Sequence, residues 1–384
     1  MNSLHVGLNC HFMKGDSGGA GTYARELIRS IHRVEPDTRF RVFLTHDAPE
    51  SFLEESWKGE VEFEFMPGSV GRAGIGDGIA AVAAQWVIQP YVAMRDGIDV
   101  VHSLAYIGAP VSRVPTVVTI LDLIWHHHPG AMSQRNTALV RMFTKVSAAR
   151  AQRVIAISEA AKNDLVETFG IPADRIDVTL LGSNGAPLGA VTPGRVVRER
   201  FGIGRRRFVL CAAQKRVHKN LLSLVAAIPH LKDPDVVVVM PGTSTPYEDE
   251  LRRASARLGV ADRLLLPSWV AQEDLESLFK ECSAFALPSL MEGFGLPILE
   301  AMERGVPVAC SNVSSLPEVA GGAALLFDPR DPRDIASKID RILEGGPDVD
   351  DMITRGYRRC QELTWDQTAL ATLASYRRAI TLKS

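Results

Sequence analysis

The chain has 384 residues, which at about 150 residues per domain implies two domains or one large two-lobed fold. A composition of 46% hydrophobic and 23% charged residues is that of a globular protein and excludes wholesale disorder. The 43 basic residues are balanced by 45 acidic ones, so no nucleic-acid partner is expected from charge. The start, MNSLHVGLNC, has no basic segment leading into a long apolar one, so no secretory signal is expected. No stretch reaches the roughly 18 apolar residues of a membrane span. Cys10, Cys211, Cys282, Cys310 and Cys360 lie far apart and form no CxxC. They suit small buried residues of a reducing cytosol, not a disulfide frame or zinc site.

Apolar runs predict strands at His5–Leu8, Arg41–Leu44, Val100–His102, Thr116–Ile120 and Val154–Ile157. Further runs follow at Phe208–Ala212, Val236–Met240, Leu264–Leu266, Ala284–Leu287 and Val306–Ala309. Several are apolar throughout, as strands covered on both faces of a parallel sheet must be. Between them lie helical patterns such as Tyr23, Leu27, Ile28, Ile31 and Val34. This alternation predicts βαβ units and doubly wound sheets. Gly182–Gly194, rich in glycine and proline and without period, reads as the joint between two α/β halves. A last helix is expected over Trp365–Ile380.

Three loops carry candidate chemistry. In the first, Glu292-Gly293-Phe294-Gly295-Leu296-Pro297 follows a strand, and Pro297 suits the first turn of the next helix. Gly293, Phe294, Gly295 and Leu296 then present backbone N–H groups to an anion, with the helix dipole behind them. Glu292 is placed to accept hydrogen bonds from ligand hydroxyls. Glu300, about one turn into the helix, is placed to grip a vicinal diol. In the second, Gly18 and Gly19 open the turn Gly18-Gly19-Ala20-Gly21-Thr22-Tyr23 between first strand and first helix, where a backbone can approach a phosphate. In the third, Gln214-Lys215-Arg216-Val217-His218-Lys219-Asn220 places cations at a strand end, able to neutralise a diphosphate without a metal.

These residues resemble the retaining nucleotide-sugar transferases of glycosyltransferase family 4, of the bacterial polysaccharide and O-antigen type. The resemblance extends over the whole chain. It is carried by Gly18–Tyr23, Asp99-Val100-Val101-His102, Val154–Ser158, Lys219-Asn220, Pro288-Ser289, the run from Glu292 to Ala301, Gly305–Val308 and Leu316–Val319. It implies a GT-B fold: two Rossmann-like, doubly wound α/β domains facing across a cleft. Residues 1–185 would form the acceptor-side domain, with helix 365–384 packing back on it, and 186–364 the donor domain. It further implies that Glu300 binds the donor ribose and Glu292 the transferred sugar. Lys219 would bind the diphosphate, with Gly19 closing on it. Two departures stand out. Leu121-Asp122 replaces a His-Asp pair that contacts the donor sugar, leaving His126, His127 or His128 to reach that space. Ala213 replaces a glycine, and Gln214 or His218 stands where an arginine is common, so Arg216 is the candidate substitute.

The expected reaction is therefore retaining, metal-independent transfer of a hexosyl unit from a nucleoside-diphosphate sugar, by front-face attack. GDP-mannose is the favoured donor, and the acceptor is a glycan, a lipid-linked sugar or a small molecule. No cofactor is expected. Rival readings are a glycosidase, which needs two carboxylates about 5–10 Å apart across one bond, a nucleotide-sugar epimerase, and a non-catalytic donor-binding subunit. Ala131–Arg153 sets Leu139, Met142, Phe143 and Val146 on one face, with Arg141, Lys145, Arg150 and Arg153 elsewhere. That pattern fits either a solvated domain helix or peripheral contact with the inner face of an anionic membrane. Ile79–Met94 is apolar but too short to span. A cytoplasmic location is expected.

Overall fold

Strands that are apolar throughout need cover on both faces, and the chain supplies it with helices around two parallel sheets. The computed structural model describes residues 3–14, 18–54, 57, 61–67, 82, 84–128, 134–183 and 191–383. Part of the Gly182–Gly194 joint (184–190), of Ala131–Arg153 (131–133) and of Ile79–Met94 (79–81 and 83) lies outside the described residues. Two compact units result, Met1–Gly182 with Thr364–Ser384, and Ser183–Leu363.

The first unit begins with β1 (His5–Asn9), α1 (Gly18–Val34), β2 (Arg39–Leu44), α2 (Glu50–Leu53) and β3 (Val61–Phe65). A π-helical turn at Ala84–Ile88 leads into α3 (Gln89–Arg95), β4 (Val100–Ser103), β5 (Thr116–Ile120) and α4 (Ile124–His127). Then come α5 (Gln134–Arg150), β6 (Arg153–Ala156), α6 (Glu159–Phe169) and β7 (Ile176–Val178). The strands are all parallel in the order β3-β2-β1-β4-β5-β6-β7. Gly18 and Gly19 correct an expectation: they form the first turn of α1 and not a loop ahead of it, with Gly18 at φ +53°. The inward stripe of α1 is as read, with Tyr23, Leu27, Ile28 and Ile31 buried. On α5 the apolar face divides. Phe143 and Val146 are half-buried, Phe143 meeting Trp86 edge-on at 5.3 Å, whereas Leu139 and Met142 are exposed.

The second unit runs α7 (Gly194–Arg200), β8 (Phe208–Leu210), α8 (Leu221–Ala227), β9 (Val237–Val239), α9 (Tyr247–Arg257), β10 (Leu264–Leu265) and α10 (Gln272–Glu281). It continues with β11 (Ala284–Leu287), α11 (Leu296–Glu303), β12 (Val308–Ser311), α12 (Leu316–Ala320), β13 (Leu325–Phe327), α13 (Pro332–Glu344) and α14 (Pro347–Glu362). Its parallel order is β10-β9-β8-β11-β12-β13. Every residue of β8 and β9 is fully buried, as their unbroken apolar runs demand. The same criterion misses β3, β7 and β13. All three are edge strands, where one side lacks a neighbour and the apolar run is shorter or broken by charge. Asp331 caps α13 by accepting from the Arg333 N–H, and Asp334 accepts from the Asp328 N–H. Among the described residues no helix is long and apolar enough to cross a membrane.

The chain's last helix, α15 (Trp365–Thr381), belongs to the first unit, where it packs on α1. Polar contacts secure it: Arg33 pairs with Asp366 at 2.6 Å and Arg378 with Asp177 at 2.9 Å. Deeper, the Tyr376 hydroxyl meets His102 Nδ1 at 2.8 Å, and His102 Nε2 meets the Thr119 hydroxyl at 2.7 Å. That hydroxyl in turn meets Tyr23 at 3.1 Å. All four side chains are fully buried, so burial pulls the His102 imidazole down to about 3. The neutral ring is the one that fits. An unfolded histidine titrates near 6.5, so between that value and about 3 the unfolded chain binds the extra proton. The stabilisation is complete above about 6.5 and is lost as pH falls through this window. Thermal melts of the protein from pH 7.5 to 4.5 should therefore fall steeply, and His102→Asn should lower the pH 7.5 melting point while flattening that fall; an unchanged slope would remove His102 as its cause.

Candidate active site

A doubly wound sheet binds ligands beyond the carboxyl ends of its strands, where the strand order reverses. In the second unit that point lies between β8 and β11. Lys219 ends a short 3-10 turn in the loop after β8, and Glu292 lies in the loop after β11. Lys219 Nζ donates to both carboxylate oxygens of Glu292, at 2.7 and 2.9 Å. Their side chains are only 15% and 8% exposed, so the pair is shielded from most of the solvent screening. The Ser289 hydroxyl donates to the same carboxylate at 2.6 Å. Glu292 is thus not an open acceptor at a strand end, as its position in the sequence suggests, but half of an ion pair. Cys211 lies beneath, its thiol pushed up to about 12 by burial, lowered in part by Lys219.

Neighbouring loops hold this pair in place. Asn220 adopts φ +55°, a conformation asparagine tolerates, and its amide nitrogen donates to the carbonyls of Pro288 (3.0 Å) and Pro329 (2.7 Å). One side chain so binds the loops after β8, β11 and β13. From the loop after β12, the Ser314 hydroxyl donates to the Glu292 carbonyl at 2.7 Å and accepts from its N–H at 3.2 Å. The Ser315 hydroxyl lies 2.6 Å from the Phe294 carbonyl. The Glu292–Gly295 loop leads directly into the first turn of α11. There Pro297 has no N–H, the Ile298 N–H donates to the Gly295 carbonyl at 3.0 Å, and the Leu296 N–H stands at a position with no intrahelical acceptor. Gly295 is obligatory there. It sits at φ +118°, and a Cβ would come within 2.7 Å of Leu316.

Glu300 lies one turn into α11, half-buried. Burial raises its carboxyl above the ordinary 4.5, partly offset by Arg304, while Glu276 and Glu303 raise it further. The Arg304 guanidinium is itself committed: it makes a bidentate pair with Glu276 of α10 (2.6 and 2.7 Å) and sits 4.9 Å over the Phe279 ring. Arg216 is exposed, whereas its neighbour Lys215 is completely buried. The Lys215 ammonium has three donors and three acceptors: Glu248 at 2.8 Å, the Gly242 carbonyl at 2.9 Å and the Pro267 carbonyl at 3.1 Å. Burial pushes the Glu248 carboxyl up, but hydrogen bonds from Lys215 and Arg252 outweigh it and hold it below the usual value. Lys215 therefore ties the loops after β8, β9 and β10 together.

Gly18 and Gly19 lie in the first unit, at the start of α1. So do the histidines near Leu121: the Nε2 of His127 is 2.8 Å from Asp164, and Asp122 accepts from the Ile124 N–H at 3.0 Å. Among the described residues no group of three or more His, Cys, Asp or Glu side chains is arranged to hold a metal ion.

Residues 17–182 match the family described as Glycosyltransferase Family 4, and residues 196–359 match Glycosyl transferases group 1. The backbone matches Anabaena Alr3699/HepE, solved in complex with UDP and glucose, with a TM-score of 0.74 over 97% of this chain and 98% of that one, at 21% identity. The chain is a glycosyltransferase of the GT-B fold. Its relatives include the O-antigen chain mannosyltransferase B of Escherichia coli, 26% identical over 94% of this chain and 96% of the relative. The MMP alpha-(1->4)-mannosyltransferase of Mycolicibacterium hassiacum is 26% identical over 74% and 72%.

Within the transferase's second unit, Lys219, Glu292, Gly293, Phe294, Gly295, Leu296 and Glu300 fall along one strand–loop–helix passage and its neighbour. Missed in the sequence were Lys215 as a brace and Ser314 and Ser315 as loop anchors. Their signal was slight: a lysine among other cations, and serines ahead of a Leu-Pro helix start. Lys215→Met leaves Glu248 to Arg252 and removes the donor to the Gly242 and Pro267 carbonyls, and should cost about 1–3 kcal/mol. Urea unfolding would measure it. A midpoint equal to that of the parent protein would show that the three loops hold together without the lysine.

Proposed function

We propose that the protein transfers a mannosyl unit from GDP-mannose to a glycan, lipid-linked or small-molecule acceptor, with retention of anomeric configuration and without a metal. The observation that carries this reading is the Lys219–Glu292 ion pair at the reversal of strand order, with Glu300 one turn along α11. A cation, a helix N-terminus and a diol-binding carboxylate in one passage suit the diphosphate and ribose of a nucleotide sugar. The two relatives named as mannosyltransferases support the sugar, and the UDP held by the Anabaena protein supports a nucleoside-diphosphate donor.

In this reading the donor diphosphate takes over the Lys219 ammonium and the N–H groups of Gly293 to Leu296, with exposed Arg216 adding charge. Glu292, released from its lysine, accepts hydrogen bonds from the sugar hydroxyls. The bond from C1 to the phosphate oxygen breaks while the acceptor oxygen bonds to C1 on the same face. The acceptor proton passes to the departing phosphate oxygen. Lys219 and the loop amides stabilise the charge that develops there, the role a divalent cation fills in other transferases. The first unit would serve the acceptor side, while Gly18 and Gly19 at the head of its α1 act as donor-binding residues. The exposed Leu139 and Met142 beside Arg141 and Lys145 on α5 fit peripheral contact with an anionic inner membrane face, where lipid-linked acceptors reside.

Thermal-shift screening against UDP-, GDP- and dTDP-sugars, followed by product analysis with the stabilising donor, tests the donor and the stereochemical outcome. Activity should persist in excess EDTA, while Lys219→Ala should lose about 2 kcal/mol or more of transition-state stabilisation. Glu292→Gln should reduce kcat more than nucleotide affinity. Abolition by EDTA with rescue by Mg²⁺ or Mn²⁺ would overturn the cation-loop mechanism.

A second expectation concerns pH. Glu300 grips the ribose as a carboxylate, and its carboxyl titrates above the ordinary 4.5. GDP affinity should therefore fall on acidification, beginning at a higher pH than an ordinary carboxylate would give. Calorimetry across pH 5 to 8 should show this fall in the parent protein and its absence in a weaker-binding Glu300→Gln variant.

A further inference from the structure

On a helix, a glutamate four residues ahead of an arginine is the favoured arrangement for an ion pair. Glu300 and Arg304 stand in that relation at the end of α11, yet they do not pair. The Arg304 guanidinium turns instead to Glu276 of α10, its Nε and one terminal nitrogen donating to the two carboxylate oxygens at 2.7 and 2.6 Å. Both side chains of that pair are almost fully buried. The other terminal nitrogen donates to the Glu300 backbone carbonyl at 2.6 Å, and the Phe279 ring lies 4.9 Å from the guanidinium. Gln272, one turn before Glu276, donates to the same carboxylate at 2.9 Å. Every guanidinium nitrogen is thus used, and none on the Glu300 side chain. Among the described residues no hydrogen bond or ion pair reaches the Glu300 carboxylate.

The guanidinium is nonetheless close by: Arg304, Glu276 and Glu303 are the charges that act on Glu300. From α14, packed on α11 with Gly356 against Met302, Arg359 is turned onto the carbonyls of Glu318 and Val319. A carboxylate that grips a ribose diol must offer both its oxygens, and a guanidinium fork would occupy them. An Arg304 released from Glu276 would find Glu300 one turn away as its next acceptor. The bidentate pair across to α10 therefore engages the competitor that the helix itself supplies.

We infer that Glu276 is a positioning residue for nucleotide binding: by holding Arg304, it keeps the Glu300 carboxylate open to the donor ribose. The inference rests on the nucleotide-sugar reading above. Glu276→Gln weakens the hold on the guanidinium and should raise the Kd for GDP about threefold or more by calorimetry. Removing the competitor as well, in the double variant Glu276→Gln/Arg304→Met, should return the Kd to within about twofold of the parent's, because a buried pair can be replaced by neutral side chains at little cost. Glu276→Asp, which keeps a charge for the guanidinium, should fall between Glu276→Gln and the parent, and it supplies the same comparison if Glu276→Gln does not fold. Inorganic diphosphate, which has no ribose, should bind all these proteins equally. A purely structural role predicts a different order, the double variant binding GDP no better than the single one. That order would overturn the inference, as would unchanged GDP affinity in Glu276→Gln while Glu300→Gln weakens it; the nucleotide reading would stand in either case. Diphosphate affinity lost in parallel with GDP affinity would also overturn it, by showing damage to the head of α11. If Glu300→Gln binds GDP as tightly as the parent, the ribose assignment itself fails, and this inference with it.

Discussion

The constraint on which the transferase's second unit depends is topological. In a parallel sheet each crossover helix covers the route between its own two strands, so where the strand order reverses the connections depart in opposite directions and leave a gap. Here the gap lies between β8 and β11. Both strands are fully buried, so the loops at their carboxyl ends are the first places where polar side chains can stand. The charged pair found there, Lys219 with Glu292, could not have been accommodated a few residues earlier on either strand.

Two lysines close together in sequence have been given different tasks by this geometry. Lys215 is sealed from solvent with all three of its donors used, and such an ammonium is a structural rivet with no capacity left for a ligand. Lys219 is paired with a single carboxylate and retains some exposure, so an anion can compete for it. Around it the supports are short and polar, with Asn220, Ser289, Ser314 and Ser315 each fixing a backbone group or a carboxylate oxygen. The site is held because several loops share these hydrogen bonds.

The first unit shows a complementary economy. One part of its polar interior is a connected chain of hydroxyls and a neutral imidazole, running from Tyr23 on α1 through Thr119 and His102 to Tyr376 on α15. A helix from the far end of the chain is thereby joined to two strands and to the first helix by groups that all have partners, the condition under which burying them is tolerable.

Much of the fold was legible in the residues alone. Unbroken apolar runs such as Val236–Met240 mark strands because only a doubly covered strand can bury every side chain, and the alternation with α1-like stripes makes the sheets parallel. Edge strands such as β3, with VEFEF, escaped because one-sided burial produces no such run. The passage from Glu292 to Glu300 could also be read, since glycines at a strand–helix turn and a carboxylate one turn later carry their own physical meaning. What local pattern cannot contain is which long-range partner a charged side chain finds. Lys215, Arg216 and Lys219 look alike along the chain. Only the packing of the β9 and β10 loops over the end of β8 buries the first, leaves the second in water and turns the third onto Glu292, because burial and pairing are properties of the assembled neighbourhood and not of the residue.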